Sequence, residues 1–245
     1  MSLTDDEFLG GLLRLSQPAK GFRAGLDTVM MAAGIPAKAG ERVLELGSGA
    51  GVASLCLAKR TGAQITGVEL QDAMAALATA NARQNGIAAD FVAADLTHLP
   101  DALKQRRFDH VMANPPFQTP GAGLAPPDPS KRAAHMADTP LSDWMRVACA
   151  RACDGGTVTL VHRADALAGI LQGLSPKLGA LVVFPLWPRA GEPAKRVIVQ
   201  GIKGSKAPLT LSQGLVLHGA DHTFTPEAAA ILRQAGPLTL RPQDR

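Results

Sequence analysis

The sequence predicts an α/β domain with a mostly parallel, doubly wound sheet covered by helices on both faces, and three observations predict it. From residue 42 onward, short apolar runs alternate with helical patterns at the spacing of βαβ units. Gly47, Gly49 and Gly51 form a turn directly after the first run. Acids, Glu69 and Asp95, follow the next two runs. Open parallel sheets bind ligands outside the carboxyl ends of their strands, so these glycines and acids would line one cleft.

Composition narrows the class. A chain of 245 residues, 46% apolar and 19% charged, can bury a proper core and lacks the signature of disorder. The opening MSLTDDEFLGG carries acids where a signal peptide is basic, and no apolar run reaches the roughly 20 residues of a membrane helix. A cytoplasmic protein with no membrane partner is expected. Cys56, Cys149 and Cys153 include two that sit four apart in a helical pattern without further ligands, so buried thiols and no metal are expected. Lys and Arg total 25 against 21 acids, giving +4 and a pI near 9.2, which permits an anionic partner. The basic residues cluster at Lys104, Arg106 and Arg107; Lys131 and Arg132; Lys195 and Arg196; Lys203 and Lys206.

The elements follow in order. Residues 42–46 (RVLEL) read as the first strand of the sheet, with Glu45 in a position that should be buried. A carboxylate there is costly unless paired, and a cationic ligand head such as an amino group would satisfy it. In VLELGSGAGV, residues 43–52, the glycines let the backbone approach a ligand and leave helix N–H groups free to bind it. The dinucleotide fingerprint wants a third glycine where Val52 stands, which disfavours a nicotinamide or flavin. Residues 63–69 form the next strand and end on Glu69, 18 residues past Gly51, where an acid can accept hydrogen bonds from ribose hydroxyls. Residues 88–93 form a third strand, followed by Asp95, which could bond the exocyclic amine of an adenine seated between it and Glu69. The ligand is expected to be a nucleoside derivative.

Residues 108–113 form a fourth strand, and Asn114, Pro115, Pro116 and Phe117 make a stiff turn after it. Segment 118–132, QTPGAGLAPPDPSKR, is a loop with four prolines and a terminal basic pair. Residues 140–152 repeat Leu141, Trp144, Met145, Ala148 and Ala152 at helical spacing, with Thr139-Pro140 as cap and first-turn proline and Gly155-Gly156 as the stop. Strands follow at 156–162, 180–187 and 195–202, and a last helix at 226–235.

Together these residues resemble class I S-adenosylmethionine-dependent methyltransferases: LELGSGAG looks like the first motif, Glu69 the ribose acid, Asp95 the adenine acid and NPPF the fourth motif. The resemblance covers roughly residues 20–202. It implies a Rossmann-like, seven-stranded, mostly parallel sheet with an antiparallel C-terminal hairpin, and S-adenosyl-L-methionine as cofactor. It divides the chain into a cofactor-covering segment 1–41, a methyltransferase core 42–204 and an extension 205–245 of the same domain. Cofactor contacts are expected from Glu45, Gly47, Gly49, Gly51, Glu69, Leu70, Asp95, Leu96 and Asn114. NPPF implies methylation of a planar nitrogen: the Asn114 side-chain oxygen and the Pro115 carbonyl each accept an N–H, Pro116 stiffens the turn and Phe117 stacks on the acceptor.

GFRAGLDTVMMAAGIP, residues 21–36, resembles the opening of the compact bacterial enzymes that methylate adenine N6 beside the anticodon of tRNA1(Val). There a basic residue and an Asp four positions later begin a helix over the cofactor, as Arg23 and Asp27 would here; an ion pair on one helix face is the plainer reading. An RNA partner, tRNA above all, would use Lys131 and Arg132 and then Lys195 and Arg196 as phosphate contacts. The alternatives are guanine N2 in rRNA, a protein glutamine amide, and a nucleoside-binding protein without catalysis. The short N-terminal segment argues against the first two, whose enzymes carry a further domain there. No G-x-S-x-G elbow or histidine pairing supports a hydrolase.

Overall fold

The computed structural model describes residues 2–21, 23–117 and 139–241. Lys131 and Arg132 lie outside the described residues. The first elements are an antiparallel hairpin of β1 (Leu3–Phe8) and β2 (Leu13–Pro18), followed by α1 (Leu26–Ala33). The sheet is then laid down by β3 (Arg42–Leu46), α2 (Val52–Thr61), β4 (Gln64–Glu69), α3 (Asp72–Gln84), β5 (Ala89–Ala93), α4 (Asp101–Gln105) and β6 (Phe108–Ala113). It continues with α5 (Leu141–Arg151), β7 (Ala152–Arg163), α6 (Leu167–Leu174), β8 (Leu178–Trp187) and β9 (Arg196–Lys203). Two short strands, β10 (Thr210–Leu211) and β11 (Leu215–Val216), and α7 (Pro226–Gln234) complete the chain.

The sheet order is β10-β8-β9-β7-β6-β3-β4-β5, with β11 also beside β8. Strands β5, β4, β3, β6 and β7 are parallel, and β9 runs antiparallel to both β7 and β8. The seven expected strands are all present with the expected antiparallel hairpin, and β10 and β11 widen the sheet to nine. Strand order reverses between β3 and β6, the place where open α/β sheets bind ligands.

Alternation along each strand sorts side chains to two cores. Val43, Met112, Val161 and Ile198 join Met31 of α1, Leu55 of α2 and Leu13 and Leu15 of β2 on one face. Leu44, Leu46, Val111, Ala113, Val158 and Leu160 join Trp144 of α5 and Ile170 of α6 on the other. Among the described residues, no helix is long and apolar enough to cross a membrane.

Expectations for two regions of the chain are corrected, the α5–β7 junction and the start of α1. Gly155-Gly156 does not stop a helix: α5 ends at Arg151, and the glycines lie inside β7, which begins at Ala152. They sit where the pairing slips, since Phe108 faces Ala152 but His110 faces Thr157. A Cβ on Gly156 would stand 2.7 Å from the Asp109 carbonyl oxygen, so glycine is needed for close strand approach. Pro140 is the N-cap of α5 and lies outside the first turn, and Cys153, being in β7, shares no helix face with Cys149.

The second correction concerns Arg23 and Asp27, which do not pair with each other. The helix begins at Leu26, so Arg23 precedes it and binds Asp6 of the hairpin at 2.6 Å, while Asp27 pairs with Arg196 at 2.6 Å. The hairpin itself was not foreseen. Asn81 of α3 clamps it, accepting from Ser16 N and donating to the carbonyls of Ser16 and Ala50.

A Cβ on Gly67 of β4 would meet Phe91 Cδ1 at 2.4 Å and Ser48 Cβ at 2.9 Å. Gly67→Ala is therefore expected to lose about 1–3 kcal/mol in urea unfolding. Combining it with Phe91→Leu should cost less than the sum of the single losses; strict additivity would show that the ring is not the obstacle.

Candidate functional site

The carboxyl ends of β3, β4, β5 and β6 deliver the predicted residues to one edge. After β3, Gly47, Gly49 and Gly51 take φ of 69°, 53° and 83°, a left-handed path that other residues adopt at a cost. Gly47 N and Ser48 N both donate to the Val68 carbonyl, at 2.8 and 3.0 Å, and Gly49 N donates to Glu69 Oε2 at 2.9 Å. These loop amides are thus spent inside the protein and are not free for a ligand. A carboxylate seated against the turn is also a poor neighbour for phosphate, which suits a nucleoside better than a dinucleotide.

Glu69 is buried, and its other oxygen accepts from Gln71 N at 2.9 Å. Burial raises its pKa, against the lowering effect of the backbone bonds from Gln71 and Gly49. Both oxygens are fixed and each keeps acceptor capacity, as a ribose diol requires. Asp95 caps the turn Leu96–His98, taking Thr97 N and Thr97 Oγ1 on Oδ1 at 2.7 Å and His98 Nδ1 on Oδ2 at 3.2 Å. Burial pushes its pKa up, but the bonds from Thr97 and His98 outweigh this and hold it below the ordinary value. Asp95 therefore serves the turn, and only what acceptor capacity remains can meet an adenine.

Beside Asp95 lies a shallow, solvent-open cleft whose lining includes Gly47, Val68, Leu70, Leu96 and Trp144. Trp144 is fully buried, and among the described residues its Nε1 and the buried Ser48 Oγ have no hydrogen-bond partner. A Cβ at Gly49 would meet nothing within 4 Å among the described residues. Val68, Leu70 and Leu96 give this cleft apolar walls beside the Asp95 carboxylate, a chemistry that suits the nucleoside half of S-adenosylmethionine.

Glu45 is buried on the α2 side, and its Oε2 accepts from Ser54 N at 3.0 Å and Ser54 Oγ at 2.5 Å. The protein itself thus supplies a partner, where a ligand cation alone was expected. Burial, opposed by the Ser54 bonds and reinforced by the charge of Glu69, pushes its pKa from 4.5 to about 8.

Beyond β6, Asn114 donates from Nδ2 to Thr28 Oγ1 of α1 at 3.1 Å, which fixes the amide and leaves Oδ1 as the acceptor. Pro115 is buried and Phe117 half-buried. The Arg196 guanidinium lies 4.5 Å from the Phe117 ring centroid, and His162 meets the ring edge-on with centroids 5.0 Å apart. Lys195 is exposed beside it. Thr28, Ser54 and His162 were missed in the sequence. The available signal was a polar residue in an apolar stretch, as in LDTVMM and VTLVHR. Among the described residues no cluster of three His, Cys, Asp or Glu side chains could hold a metal.

Residues 43–125 match the family model described as a methyltransferase domain. Together with the fold, this match marks residues 43–125 as a methyltransferase domain that takes S-adenosylmethionine as its cofactor. Relatives of the chain include proteins named tRNA1(Val) (adenine(37)-N6)-methyltransferase. That of Haemophilus influenzae is 27% identical over 86% of this chain and 90% of its own, and that of Aeromonas hydrophila is 29% identical over 83% and 85%. Among solved structures, protein Atu636 of Agrobacterium tumefaciens, described as a predicted O-methyltransferase, superposes with TM-score 0.71 at 29% identity, covering 87% of this chain and 98% of that one. The 16S rRNA N2 G1207 methyltransferase of Thermus thermophilus, solved with AdoMet and guanosine, shares the fold: TM-score 0.59 at 24% identity, covering 82% of this chain and 50% of that one.

A carboxyl whose pKa is raised in the folded state favours folding while protonated and loses that contribution as pH rises through the raised value. Without cofactor, the protein should lose stability as pH climbs from about 5 to 9 on account of Glu45. Glu45→Gln, which keeps an acceptor for Ser54, should remove that part of the decline. Parallel melting-temperature profiles for the two proteins would rule it out.

Proposed function

We propose that the chain transfers a methyl group from S-adenosylmethionine to the N6 amine of an adenine in RNA, most specifically in the anticodon loop of a tRNA. The observation that carries this is the Asn114 amide, anchored through Nδ2 on Thr28 with Oδ1 left to accept, at the head of a stiff Asn-Pro-Pro-Phe turn. An exocyclic amine is a poor nucleophile because its lone pair is delocalised into the ring. Asn114 Oδ1 and the Pro115 carbonyl each accept one N–H and turn the lone pair toward the methyl group. Pro115 and Pro116 hold the acceptors in place before the substrate arrives, and Phe117 receives the base plane. When bound, S-adenosylmethionine supplies an electrophilic methyl on a sulfonium.

Glu69 takes the ribose hydroxyls, Leu70 and Leu96 flank the adenine, and Asp95 borders its edge. Gly47, Gly49 and Gly51 give the close approach, and Glu45 with the α2 N-terminus faces the amino acid portion. Arg23 and Asp27 fix the segment that covers the cofactor, residues 1–41, over the core, 42–204. The relatives' shared name supports an adenine in tRNA, and Lys131, Arg132 and Lys195 are the proposed phosphate contacts, in a cytoplasmic setting. The name given to the Agrobacterium protein points to an oxygen acceptor instead. A carboxamide accepts from an amine but takes no proton from a hydroxyl, and Asn114 on that ground favours nitrogen.

Incubation with labelled S-adenosylmethionine and total tRNA, then nucleoside analysis, should yield N6-methyladenosine. N2-methylguanosine or label in protein glutamine would replace this reading. Asn114→Ala should lower kcat by roughly 10²–10³ with cofactor affinity unchanged, and Thr28→Val should lower it less. Full turnover by Asn114→Ala would remove its assigned role.

A further inference from the structure

Arg196 opens β9 and faces Arg163 across the β7–β9 pairing, so it stands at the same sheet edge as Asn114. Its guanidinium covers one face of Phe117 at 4.5 Å while its Nε donates to Asp27 Oδ2 at 2.6 Å. His162, buried in β7, packs roughly perpendicular to the ring, with the planes at 81°. A planar substrate would stack on a face of Phe117, and Arg196 occupies one of them.

Resting on the reading that the acceptor is a nucleobase, we propose that Arg196 is the second wall of the base slot: its guanidinium covers Phe117 while no base is present and lies over the outer face of the base when one enters. Three considerations support a stacking plate over the phosphate contact expected from the basic pair. The charge of Arg196 is already matched by Asp27, which leaves little net attraction for a phosphate, whereas stacking uses the plane of the group. A guanidinium is weakly hydrated and stacks on phenyl rings and bases alike, so one group can serve both states. The chain has seven Phe, two Trp and no Tyr, and a guanidinium stands where an aromatic-rich site would place a second ring.

The slot must open by roughly 3.4 Å, one base thickness. A long side chain that is 31% exposed at a strand start can move that far. Asp27 and Thr28 are successive residues of α1, so one helical turn positions both the plate, through Asp27, and the acceptor amide, through Thr28.

The test is RNA methylation kinetics of Arg196→Lys, Arg196→Gln and Asp27→Asn over a salt series, with cofactor affinity measured alongside. Both Arg196 variants should lose roughly tenfold or more in kcat/KM, with cofactor affinity and the salt slope of RNA binding unchanged. Lysine should not rescue, since an ammonium has no plane, and Asp27→Asn should fall between wild type and the Arg196 variants. Wild-type kcat/KM in Arg196→Lys, with the slope reduced by about one phosphate in Arg196→Gln, would make Arg196 an ordinary phosphate contact and remove the slot alone. Wild-type label in protein glutamine in place of RNA would remove the functional reading and the slot together.

Discussion

Two carboxylates buried side by side at the carboxyl edge of the sheet are the constraint around which the cofactor half is built. Glu45 in β3 and Glu69 in the adjacent β4 both have pKa values raised first by burial, and the charge of Glu69 raises Glu45 further. The protein gives them hydrogen bonds, from Ser54 to one and from Gly49 and Gln71 to the other. Neutral donors satisfy lone pairs but bring no countercharge. The shape of the glycine turn follows from Gly49 reaching Glu69, and the start of α2 from Ser54 reaching Glu45. Lacking a countercharge, the pair meets the cost of burial partly by keeping a proton: Glu45, pushed up to about 8, is mostly neutral at neutral pH, and Glu69 is raised above the ordinary carboxylate range.

The N-terminal segment is tied to that turn. Asn81 joins the Ser16 backbone of β2 to the Ala50 carbonyl in the glycine turn, and Asp6 holds Arg23 at the approach to α1. α1 in turn carries Asp27, paired with Arg196 of β9, and Thr28, which accepts from the Asn114 side chain after β6, so one helix outside the sheet is tied to both turns.

The parallel strands and the glycine turn were legible because βαβ periodicity and left-handed glycines are local properties of the chain. The positions of Glu69, Asp95 and Asn114 were legible because each ends or closely follows a strand whose end must lie on one edge. The partners of those residues were not, since they depend on long-range contacts: Asp27 finds Arg196 far along the chain and passes over Arg23, because the helix starts too late to place Arg23 on its face. Gly155-Gly156 misled for a related reason. A glycine pair reads as a helix stop locally, whereas here it is required by the Asp109 backbone of a neighbouring strand. The hairpin of residues 3–18 escaped notice although Gly10 and Gly11 mark its turn, both at positive φ.

Strand register also fixes the distance over which the chemistry must act. β3 and β6 are hydrogen-bonded neighbours, and their last paired residues are Leu46 and Ala113. Gly47 and Asn114 are each the next residue, so the cofactor turn and the acceptor turn leave the sheet from adjacent positions, one strand spacing of about 4.8 Å apart. Holding two reactants in line with the reacting atoms roughly 3–3.5 Å apart can supply up to about 7–11 kcal/mol of a barrier, provided both are held rigidly. Pro115 and Pro116 stiffen one turn, and the bonds from Gly49 and Gln71 to the buried Glu69 stiffen the other.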